Sequence, residues 1–357
     1  MDEHWAPIVV QLMRAPTALA HSVESLAKSV RDGVRSVRFV VHYNRFQRPR
    51  VLGMLVDLAR AALLRGDVFH ITGDCSYLAL ALPPRRTILT VLDCGTYWRV
   101  KGARRWIYGL IWIKLPVRRS GCIVVISEVI RQEVIGIAGV DASKVRVIHC
   151  SVLPEFFESP SAIDAPLAAQ PVLLQVGTLK NKNIERLAEA ISGINCRLMV
   201  IGRLMPSQLE ALTRFRVNFD ALERLSSAEV VECYRACDVV VFPSTSEGFG
   251  MPVIEGQACG KPVVAGDIPV LREVAGDAAC FVDPLDVASI RSGIHRVLDD
   301  VSFRQDLVRL GLRNAQRFAP NTMLRGYESA YVEVARAAAR RGGRGSPARS
   351  RNLTESE

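Results

Sequence analysis

Short apolar runs rich in valine and isoleucine alternate with helical segments along most of this chain of 357 residues. Such alternation is typical of parallel, doubly wound sheets, in which a helix follows each strand and covers one face of the sheet. We therefore expect an α/β fold. The predicted strands are Pro7–Met13, Val37–His42, Val68–Ile71, Thr87–Leu92, Cys122–Ile126, Val145–His149, Val172–Val176, Arg197–Ile201, Asp238–Phe242, Pro262–Ala265 and Ala279–Val282.

The predicted strands form two groups, separated by a segment rich in proline and alanine. This segment, Pro154–Pro171, is expected to link an N-terminal domain of residues 1–160 to a C-terminal domain of residues 161–322. A chain of this length suits two domains better than one compact core. Residues 323–339 are predicted to form a helix that returns to the first domain, and the charged tail 340–357 is predicted to be disordered.

The stretch Phe242–Pro262 combines the end of a strand, a glycine-rich turn and the start of a helix. Gly250 lets the backbone approach a ligand closely, and Pro252 suits the first turn of a helix whose free amides attract phosphate oxygens. Two carboxylates, Glu247 and Glu255, flank this turn. We expect Glu255, in the first helical turn, to bind a ribose, and Glu247 to lie near a transferred sugar.

The spacing Glu247-x7-Glu255, with Gly-Phe-Gly-Met-Pro between the two acids, resembles the signature of the retaining glycosyltransferases of family four, of the type that assembles bacterial surface polysaccharide and lipopolysaccharide. The other matching segments are Leu174–Leu179, Lys182-Asn183, Cys237-Asp238 and Glu273–Pro284. The resemblance implies the GT-B architecture, in which two Rossmann-like domains face a cleft. It also implies transfer of a hexose from a nucleoside diphosphate sugar with retention of anomeric configuration.

The resemblance further implies a donor site in the C-terminal domain, where a basic residue neutralises the leaving diphosphate. Thr178 stands where many relatives carry an arginine, which leaves Lys180 and Lys182 as the available cations, and we expect Lys182 to take this role. No Asp-x-Asp pair occurs in the chain, so a metal-independent reaction without a cofactor is expected. The implied donor-binding residues are Gly177, Thr178, Lys182, Glu247, Gly248, Phe249, Gly250, Met251, Pro252 and Glu255.

The expected acceptor side, in the N-terminal half, departs from the family pattern. Many relatives place a His-Asp pair after the strand that here reads Thr87–Val91, where this chain has Leu92-Asp93. Asp93 is therefore a candidate for orienting a sugar or acceptor hydroxyl. His70 and Asp74, at the end of the preceding strand, have suitable chemistry as substitutes, although a single histidine at a strand end is more often structural. The predicted catalytic residues are Glu247, Asp93 and His70.

Positive charge is concentrated in the first half of the chain, where residues before 165 carry about +8 of the formal charge of +10. Within it, Trp98–Arg119 sets basic residues around aromatic ones. Its apolar centre is too short to cross a bilayer, whereas cationic flanks and interfacial aromatics suit an anionic membrane surface. The alternative is a core helix whose basic ends bind the phosphates of another molecule or face water. The predicted membrane-docking residues are Arg104, Arg105, Trp106, Trp112 and Lys114.

Composition argues against several other classes. No apolar run reaches the roughly 18 residues of a membrane span, and the acidic N-terminus lacks a secretory pattern, so a cytoplasmic protein, peripheral on the inner membrane face, is expected. The nine cysteines lack zinc-like spacing, which predicts reduced, buried thiols and no metal site. Basic residues around one apolar helix, without an RNA-binding signature, argue against a nucleic-acid partner.

Together these patterns and the resemblance predict a glycosyltransferase that moves a mannose- or glucose-type hexose to a hydroxyl of a glycan or lipid-linked acceptor, with retention of configuration as the resemblance implies. A glycoside hydrolase also needs two carboxylates, but it has no need for a lysine and a helix N-terminus aimed at a diphosphate. The main alternative is a non-catalytic nucleotide-sugar binder that serves as a scaffold in polysaccharide assembly, because the N-terminal motifs are incomplete.

Overall fold

In a computed structural model, the chain forms two six-stranded sheets. The structure describes residues 6–14, 21–45, 51–73, 75–164 and 166–341. By compactness the chain divides into two units. The first unit comprises Met1–Thr90, Leu110–Ile123 and Tyr327–Glu357, and the second comprises Val91–Gly109 and Val124–Gly326. The predicted domain boundaries remain a prediction, and residues 342–357 of the predicted tail lie outside the described part of the chain.

The first sheet contains the strands predicted in the first half of the chain. They are β1 (Ile8–Met13), β2 (Arg38–Tyr43), β3 (Val68–Ile71), β4 (Thr87–Val91), β5 (Cys122–Val125) and β6 (Val145–Val147). Their order across the sheet is β2-β1-β3-β4-β5-β6, and β1 pairs in parallel with both β2 and β3. This order extends the flavodoxin-like arrangement, in which strand order reverses beside the first strand.

The helices of the first half connect these strands. They are α1 (His21–Gly33), α2 (Val51–Ala62), α3 (Gly95–Arg99), α4 (Gly102–Tyr108), α5 (Leu115–Arg119) and α6 (Glu128–Ala138). The start of α6 is capped by Ser127, whose hydroxyl accepts a hydrogen bond from the Ile130 amide at 3.2 Å. Its end is capped by Gly139 in the left-handed conformation, with φ of 62°.

The second sheet is parallel and has the strand order of a dinucleotide-binding fold. Its strands are β7 (Val172–Val176), β8 (Arg197–Ile201), β9 (Phe219–Leu222), β10 (Val239–Phe242), β11 (Val263–Gly266) and β12 (Cys280–Val282). The order β12-β11-β10-β7-β8-β9 is the 3-2-1-4-5-6 order when the strands are counted from β7. Every predicted strand of both sheets is present to within two residues at each end, which confirms the α/β prediction. The edge strand β9 was missed.

Helices follow the strands of the second sheet. They are α7 (Ile184–Ala190), α8 (Pro206–Arg214), α9 (Ser227–Ala236), α10 (Met251–Ala258), α11 (Pro269–Ala275), α12 (Val287–Asp299), α13 (Val301–Ala315) and α14 (Pro320–Arg341). From Tyr327 onward, α14 belongs to the first compact unit. No helix within the described ranges is both long enough and apolar enough to cross a membrane.

The predicted helix Trp98–Arg119 is interrupted in the structure. Val100, which ends α3, is extended with φ of −79° and ψ of 139°, and Gly102 restarts the helix with φ of 61°. A π-helical turn, Gly109–Lys114, then joins α4 to α5. Gly109 packs so closely on Tyr97 that a methyl group there would lie 2.6 Å from the ring. The segment therefore folds back on itself instead of forming one straight amphipathic helix.

The core of the second unit is packed tightly where α12 crosses the sheet. A methyl group at Gly293 of α12 would lie 2.3 Å from Val282 Cγ1 and 3.4 Å from Cys280 Sγ. By contrast, Gly136 of α6 is exposed and has no neighbour within 4 Å of such a methyl group. Alanine substitution at both positions removes the same backbone entropy of glycine, but only at Gly293 does it also crowd the core. The two substitutions together therefore distinguish the effect of close packing from that of backbone entropy.

Gly293→Ala is expected to destabilise the chain by about 1–2 kcal/mol, because overpacking costs ~1–3 kcal/mol and the better helix propensity of alanine returns up to ~1 kcal/mol. The matched change Gly136→Ala is expected to stabilise it by up to ~1 kcal/mol. Urea unfolding followed by circular dichroism measures both. Equal effects of the two substitutions would contradict the packing described for α12.

Candidate active site

The predicted donor motif lies at the point where strand order in the second sheet reverses, between β7 and β10. Ligands of open α/β sheets bind at the carboxyl ends of strands at such a point. Here the loop after β7 carries Gly177 to Asn183, and the loop after β10 leads to α10. The two loops are joined directly, because the Thr245 amide donates a hydrogen bond to the Asn181 carbonyl at 2.9 Å.

Lys182 and Glu247 meet between these loops. Lys182 Nζ lies 2.6 Å from Glu247 Oε1, and both side chains are largely buried. Asn181 Nδ2 also donates to Glu247 Oε1, at 3.2 Å, and to the Ser246 carbonyl, at 2.7 Å. The lysine stem passes over Gly177, where φ is 85° and a methyl group would lie 3.0 Å from Lys182 Cε. A glycine at this position therefore makes room for the cation.

Asn183 ties the loops around this ion pair. It adopts the left-handed conformation with φ of 64° and is almost fully buried. Its Nδ2 donates to the Pro243 carbonyl at 3.0 Å and to the Pro284 carbonyl at 2.6 Å. One side chain thus joins the chain segments that follow β7, β10 and β12, and it fixes the distance between the lysine and the carboxylate.

The glycine-rich turn before α10 has the expected geometry. Gly250 has φ of 108°, and a methyl group there would lie 2.4 Å from Leu271 Cδ2, so only glycine fits. Pro252 stands in the first turn of the helix. The Val253 amide donates to the Gly250 carbonyl at 3.0 Å, so the amides available to an anion are those that precede it. Met251, the first residue of α10, is half-buried at this end.

Glu255 lies one turn deeper than predicted. It is the fifth residue of α10, in the second turn, and its Oε2 accepts a hydrogen bond from the Tyr234 hydroxyl at 2.7 Å. Tyr234 is fully buried beneath it. Burial raises the pKa of Glu255 to about 7, although the hydrogen bond from Tyr234 and the charge of Lys182 act in the opposite direction. The carboxyl group therefore changes protonation state near neutral pH.

The two remaining residues of the loop have different surroundings: the Phe249 side chain is packed among other rings, and Gly248 lies close to a neighbouring loop. The Phe249 ring is 5% exposed and lies 5.8 Å from the rings of His149 and Phe318, so only its backbone is available to a ligand. Gly248 lies beside the loop that follows β4. A methyl group at Gly248 would lie 3.1 Å from the Leu92 carbonyl and 3.5 Å from Asp93 Cβ. Asp93 is thus a neighbour of the donor loop within the second unit.

Asp93 belongs to a cluster that the sequence did not indicate. Its Oδ1 accepts the Gly95 amide at 2.7 Å. Glu133 of α6 accepts the indole N–H of Trp98 at 3.1 Å. Burial raises the pKa of Glu133, the Asp93 charge adds to this, and hydrogen bonds from Trp98 and Cys94 oppose it. The Trp98 ring is half exposed beside these two carboxyl groups. No spacing rule joins residues 93, 98 and 133, so only the fold reveals the cluster.

Glu273, the first residue of the family segment Glu273–Pro284, anchors the start of α6. Its carboxylate accepts the amides of Glu128 at 2.7 Å and Val129 at 3.3 Å, and it lies 3.1 Å from His149 Nε2. Burial alone would raise the pKa of Glu273, but these hydrogen bonds outweigh it and hold the pKa below its usual range. This carboxylate is therefore a structural anchor at a helix N-terminus.

The structure argues against the predicted catalytic role of His70. The side chain is 2% exposed, and its two ring nitrogens lie 2.8 Å from Thr90 Oγ1 and 2.7 Å from the Tyr331 hydroxyl. Burial lowers the pKa of His70 to about 3, so the ring is neutral. Both nitrogens are engaged, and His70 instead ties α14 to the first sheet. Asp74, the other proposed substitute, lies outside the described residues.

Among the residues that the structure describes, no group of three or more His, Cys, Asp or Glu side chains is placed to hold a metal ion. Metal independence itself stays a prediction. The nine cysteines all lie within the described ranges and form no disulfide there, and eight of them are buried.

Two family models match the chain in succession. Residues 8–156 match Glycosyltransferase Family 4, and residues 163–312 match Glycosyl transferases group 1. The second match contains the Lys182–Glu247 pair, the turn before α10 and Glu255.

Two curated relatives are mannosyltransferases. O-antigen chain mannosyltransferase B of Escherichia coli is 42% identical over 86 residues, which are 24% of this chain and 23% of that protein. O-antigen chain mannosyltransferase RfbU of Salmonella typhimurium is 27% identical over 217 residues, which are 60% of this chain and 61% of that protein. The chain therefore covers less than two thirds of the length of either relative.

The structure of Anabaena HepE in complex with UDP and glucose superimposes with a TM-score of 0.74 at 17% identity, over 92% of this chain and 100% of that one. At this identity the likeness concerns the fold alone. The two family matches together cover most of the residues and show that the chain belongs to the family 4 glycosyltransferases. The structural likeness shows that it has their GT-B fold.

Proposed function

We propose that this chain transfers a hexose of the mannose or glucose type from a nucleoside diphosphate sugar to a hydroxyl of a glycan or lipid-linked acceptor, with retention of configuration. The observation that carries the proposal is the buried pair of Lys182 and Glu247 at the switch point, beside the start of α10. The names of the relatives, two O-antigen mannosyltransferases, support the sugar and the polysaccharide context.

Lys182 holds the diphosphate of the donor. In the chain without a donor, its ammonium group is neutralised by Glu247 at 2.6 Å. A diphosphate that enters next to Gly177 competes for this ammonium group, and the amides that precede Val253 at the start of α10 add a second source of positive potential. As the sugar departs, negative charge grows on the leaving diphosphate, and both groups are already in place to stabilise it.

Glu247 faces the transferred sugar. When Lys182 turns toward the phosphates, the hydrogen bond from Asn181 still holds the carboxylate at the mouth of the loop. A carboxylate at this place stabilises the positive charge that develops on the sugar ring in an oxocarbenium-like transition state. Asn181 is therefore a positioning residue for Glu247, and no spacing in the sequence indicated it.

Glu255 binds the ribose of the nucleoside. Vicinal hydroxyls donate two hydrogen bonds to one ionised carboxylate, and the Tyr234 hydroxyl fixes the orientation of that carboxylate from below. On the acceptor side, Asp93 and Glu133 offer carboxylates to hydroxyl groups, and the half-exposed Trp98 ring offers an apolar face to a sugar.

The proposal is tested by incubating the full chain with the UDP and GDP forms of glucose and mannose. Release of the nucleoside diphosphate is measured with and without glycan and lipid-linked acceptors, in buffers with and without EDTA. Turnover that needs an acceptor, together with an α-anomeric product from an α-linked donor in the proton NMR spectrum, supports a retaining transferase. Donor binding without turnover on any acceptor supports the non-catalytic scaffold instead.

Lys182→Ala is expected to lower kcat/KM by on the order of 10²- to 10³-fold, which is the usual cost of removing one group that stabilises transition-state charge. Lys180→Ala is the matched control, because Lys180 is exposed, lies two residues away and carries the same charge. It is expected to change kcat/KM less than about threefold. Similar losses in both variants would mean that general positive charge, and not the Lys182 position, holds the diphosphate.

Donor affinity is expected to rise with pH. The ribose hydroxyls bind the ionised form of Glu255, whose pKa in the donor-free chain is about 7. Below that pH, binding must first remove a proton, so the dissociation constant should be about tenfold larger at pH 6 than at pH 8. Isothermal titration calorimetry with a nucleoside diphosphate sugar measures this, since its diphosphate does not titrate in that range.

Two variants isolate the group responsible for this pH dependence. Glu255→Gln removes the carboxyl group and is expected to weaken binding at pH 8 and to flatten the profile. Tyr234→Phe removes the hydrogen bond that favours the ionised form, so the midpoint of the profile should move to higher pH. A profile that stays the same in Glu255→Gln would assign the pH dependence to another group.

A further inference from the structure

Helix α2 exposes its large apolar side chains to solvent. Leu52 is 74% exposed, Leu55 57% and Leu63 80%, and Val51 at the start of the helix is 75% exposed. Leu52, Leu55 and the exposed Ala59 lie at helical spacing on α2, and Leu63 continues this spacing one residue beyond the end of the helix, so the four residues form one exposed stripe. We call Leu52, Leu55, Ala59 and Leu63 the α2 stripe.

The α2 stripe faces outward because a polar residue anchors the opposite face. Asp57 is 2% exposed, and its carboxylate accepts the Tyr77 hydroxyl at 3.0 Å and the Arg45 amide at 3.1 Å. Asn44 Nδ2 donates to the same tyrosine hydroxyl at 3.1 Å. Rotation of α2 to bury the leucines would break these bonds and leave buried polar groups unpaired. The fold itself therefore holds the apolar stripe at the surface.

The charge around the α2 stripe is positive. Arg60 and Arg65 are exposed, and Asp57, the one acidic residue between positions 51 and 66, points inward. The Tyr77 ring also packs against Trp112, at 6.0 Å between ring centres, which places the π-helical turn and α5 near the same anchor. Leu115 of α5 is 39% exposed. All these residues belong to the first compact unit.

We propose that the α2 stripe is a docking surface for an anionic lipid bilayer, with the leucines in the interface and the arginines at the level of the headgroups. Apolar side chains flanked by cations, on a helix too short to span, are the features of an interfacial helix. The proposal deepens the proposed function, because it rests on a lipid-linked acceptor to explain why an enzyme of this kind would bind a membrane.

This surface differs from the predicted docking residues. The guanidinium group of Arg105 is stacked on the rings of Tyr97 and Trp98, at 4.5 and 4.6 Å, and Trp112 packs inward on Tyr77. Among the predicted docking residues, Trp106 is largely exposed, at 66%. The α2 stripe presents a longer continuous apolar row.

A bilayer fits the α2 stripe better than a second copy of the chain does. In a two-fold dimer through this face, the cations Arg60 and Arg65 of one copy would face the same positively charged surface of the other, with no outward-facing carboxylate on α2 to pair with them. Anionic headgroups supply the missing negative charge. The attraction should therefore weaken as salt concentration rises.

The test is sedimentation of the full chain with vesicles of phosphatidylcholine alone and of phosphatidylcholine with phosphatidylglycerol. The variant Leu52→Gln/Leu55→Gln is compared with the matched control Leu209→Gln/Leu285→Gln, whose leucines are 48% and 64% exposed in the second unit. We expect wild type and control to bind the anionic vesicles and the α2 variant to bind them on the order of tenfold or more weakly.

Three outcomes overturn the proposal: no binding of the wild type to anionic vesicles, equal binding of the two variants, or loss of a dimer in the α2 variant without a change in vesicle binding. Donor affinity is measured for the same samples by calorimetry. Failure of vesicle binding with intact donor binding refutes the α2 surface alone, whereas loss of donor binding by the wild type refutes the proposed function.

Discussion

The meeting of two loops at the switch point between β7 and β10 is the constraint on which the rest of the site depends. Asn183 satisfies two carbonyl groups from different loops with one amide, in a left-handed conformation that few residues adopt. That cross-link sets the separation of Lys182 and Glu247 before any donor arrives. Groups that are already in place need no reorganisation when charge develops, and this is the condition for electrostatic catalysis.

The charges of the site also balance without a ligand. Two carboxyl groups, Glu247 and Glu255, lie near one cation, Lys182, so their negative charges would exceed the positive charge if both were ionised. Glu247 is paired with Lys182, whereas Glu255 lies on Tyr234 with a pKa of about 7 and is partly neutral. A buried carboxylate without a partner would be costly. In the proposed reaction, phosphate and ribose groups of the donor would replace these internal contacts of Lys182, Glu247 and Glu255.

The fold was largely predictable because most of its strands are short runs rich in β-branched residues. The exception, β9, contains none: its four residues, Phe219–Leu222, pair with β8 through register and through an ion pair of Asp220 with Arg197. The donor loops were predictable because their chemistry is local in sequence. The Tyr234–Glu255 bond joins residues 21 positions apart, and the partner of His70 is Tyr331, 261 positions later. When the burial of a side chain depends on a partner so far away in the sequence, no local sequence pattern predicts it.

Helix α2 shows how a buried polar network overrides hydrophobic patterning. Fully burying one leucine is worth about 1.5–3 kcal/mol, whereas one neutral hydrogen bond contributes about 0.5–1.5 kcal/mol net. Because burying a leucine contributes more than one hydrogen bond does, this comparison alone predicts that the leucines of α2 face inward. Leaving the Asp57 carboxylate buried and unpaired costs more than either, because it loses its hydration as well as its bonds. The leucines remain outside, and their burial is still available to drive binding to an apolar phase.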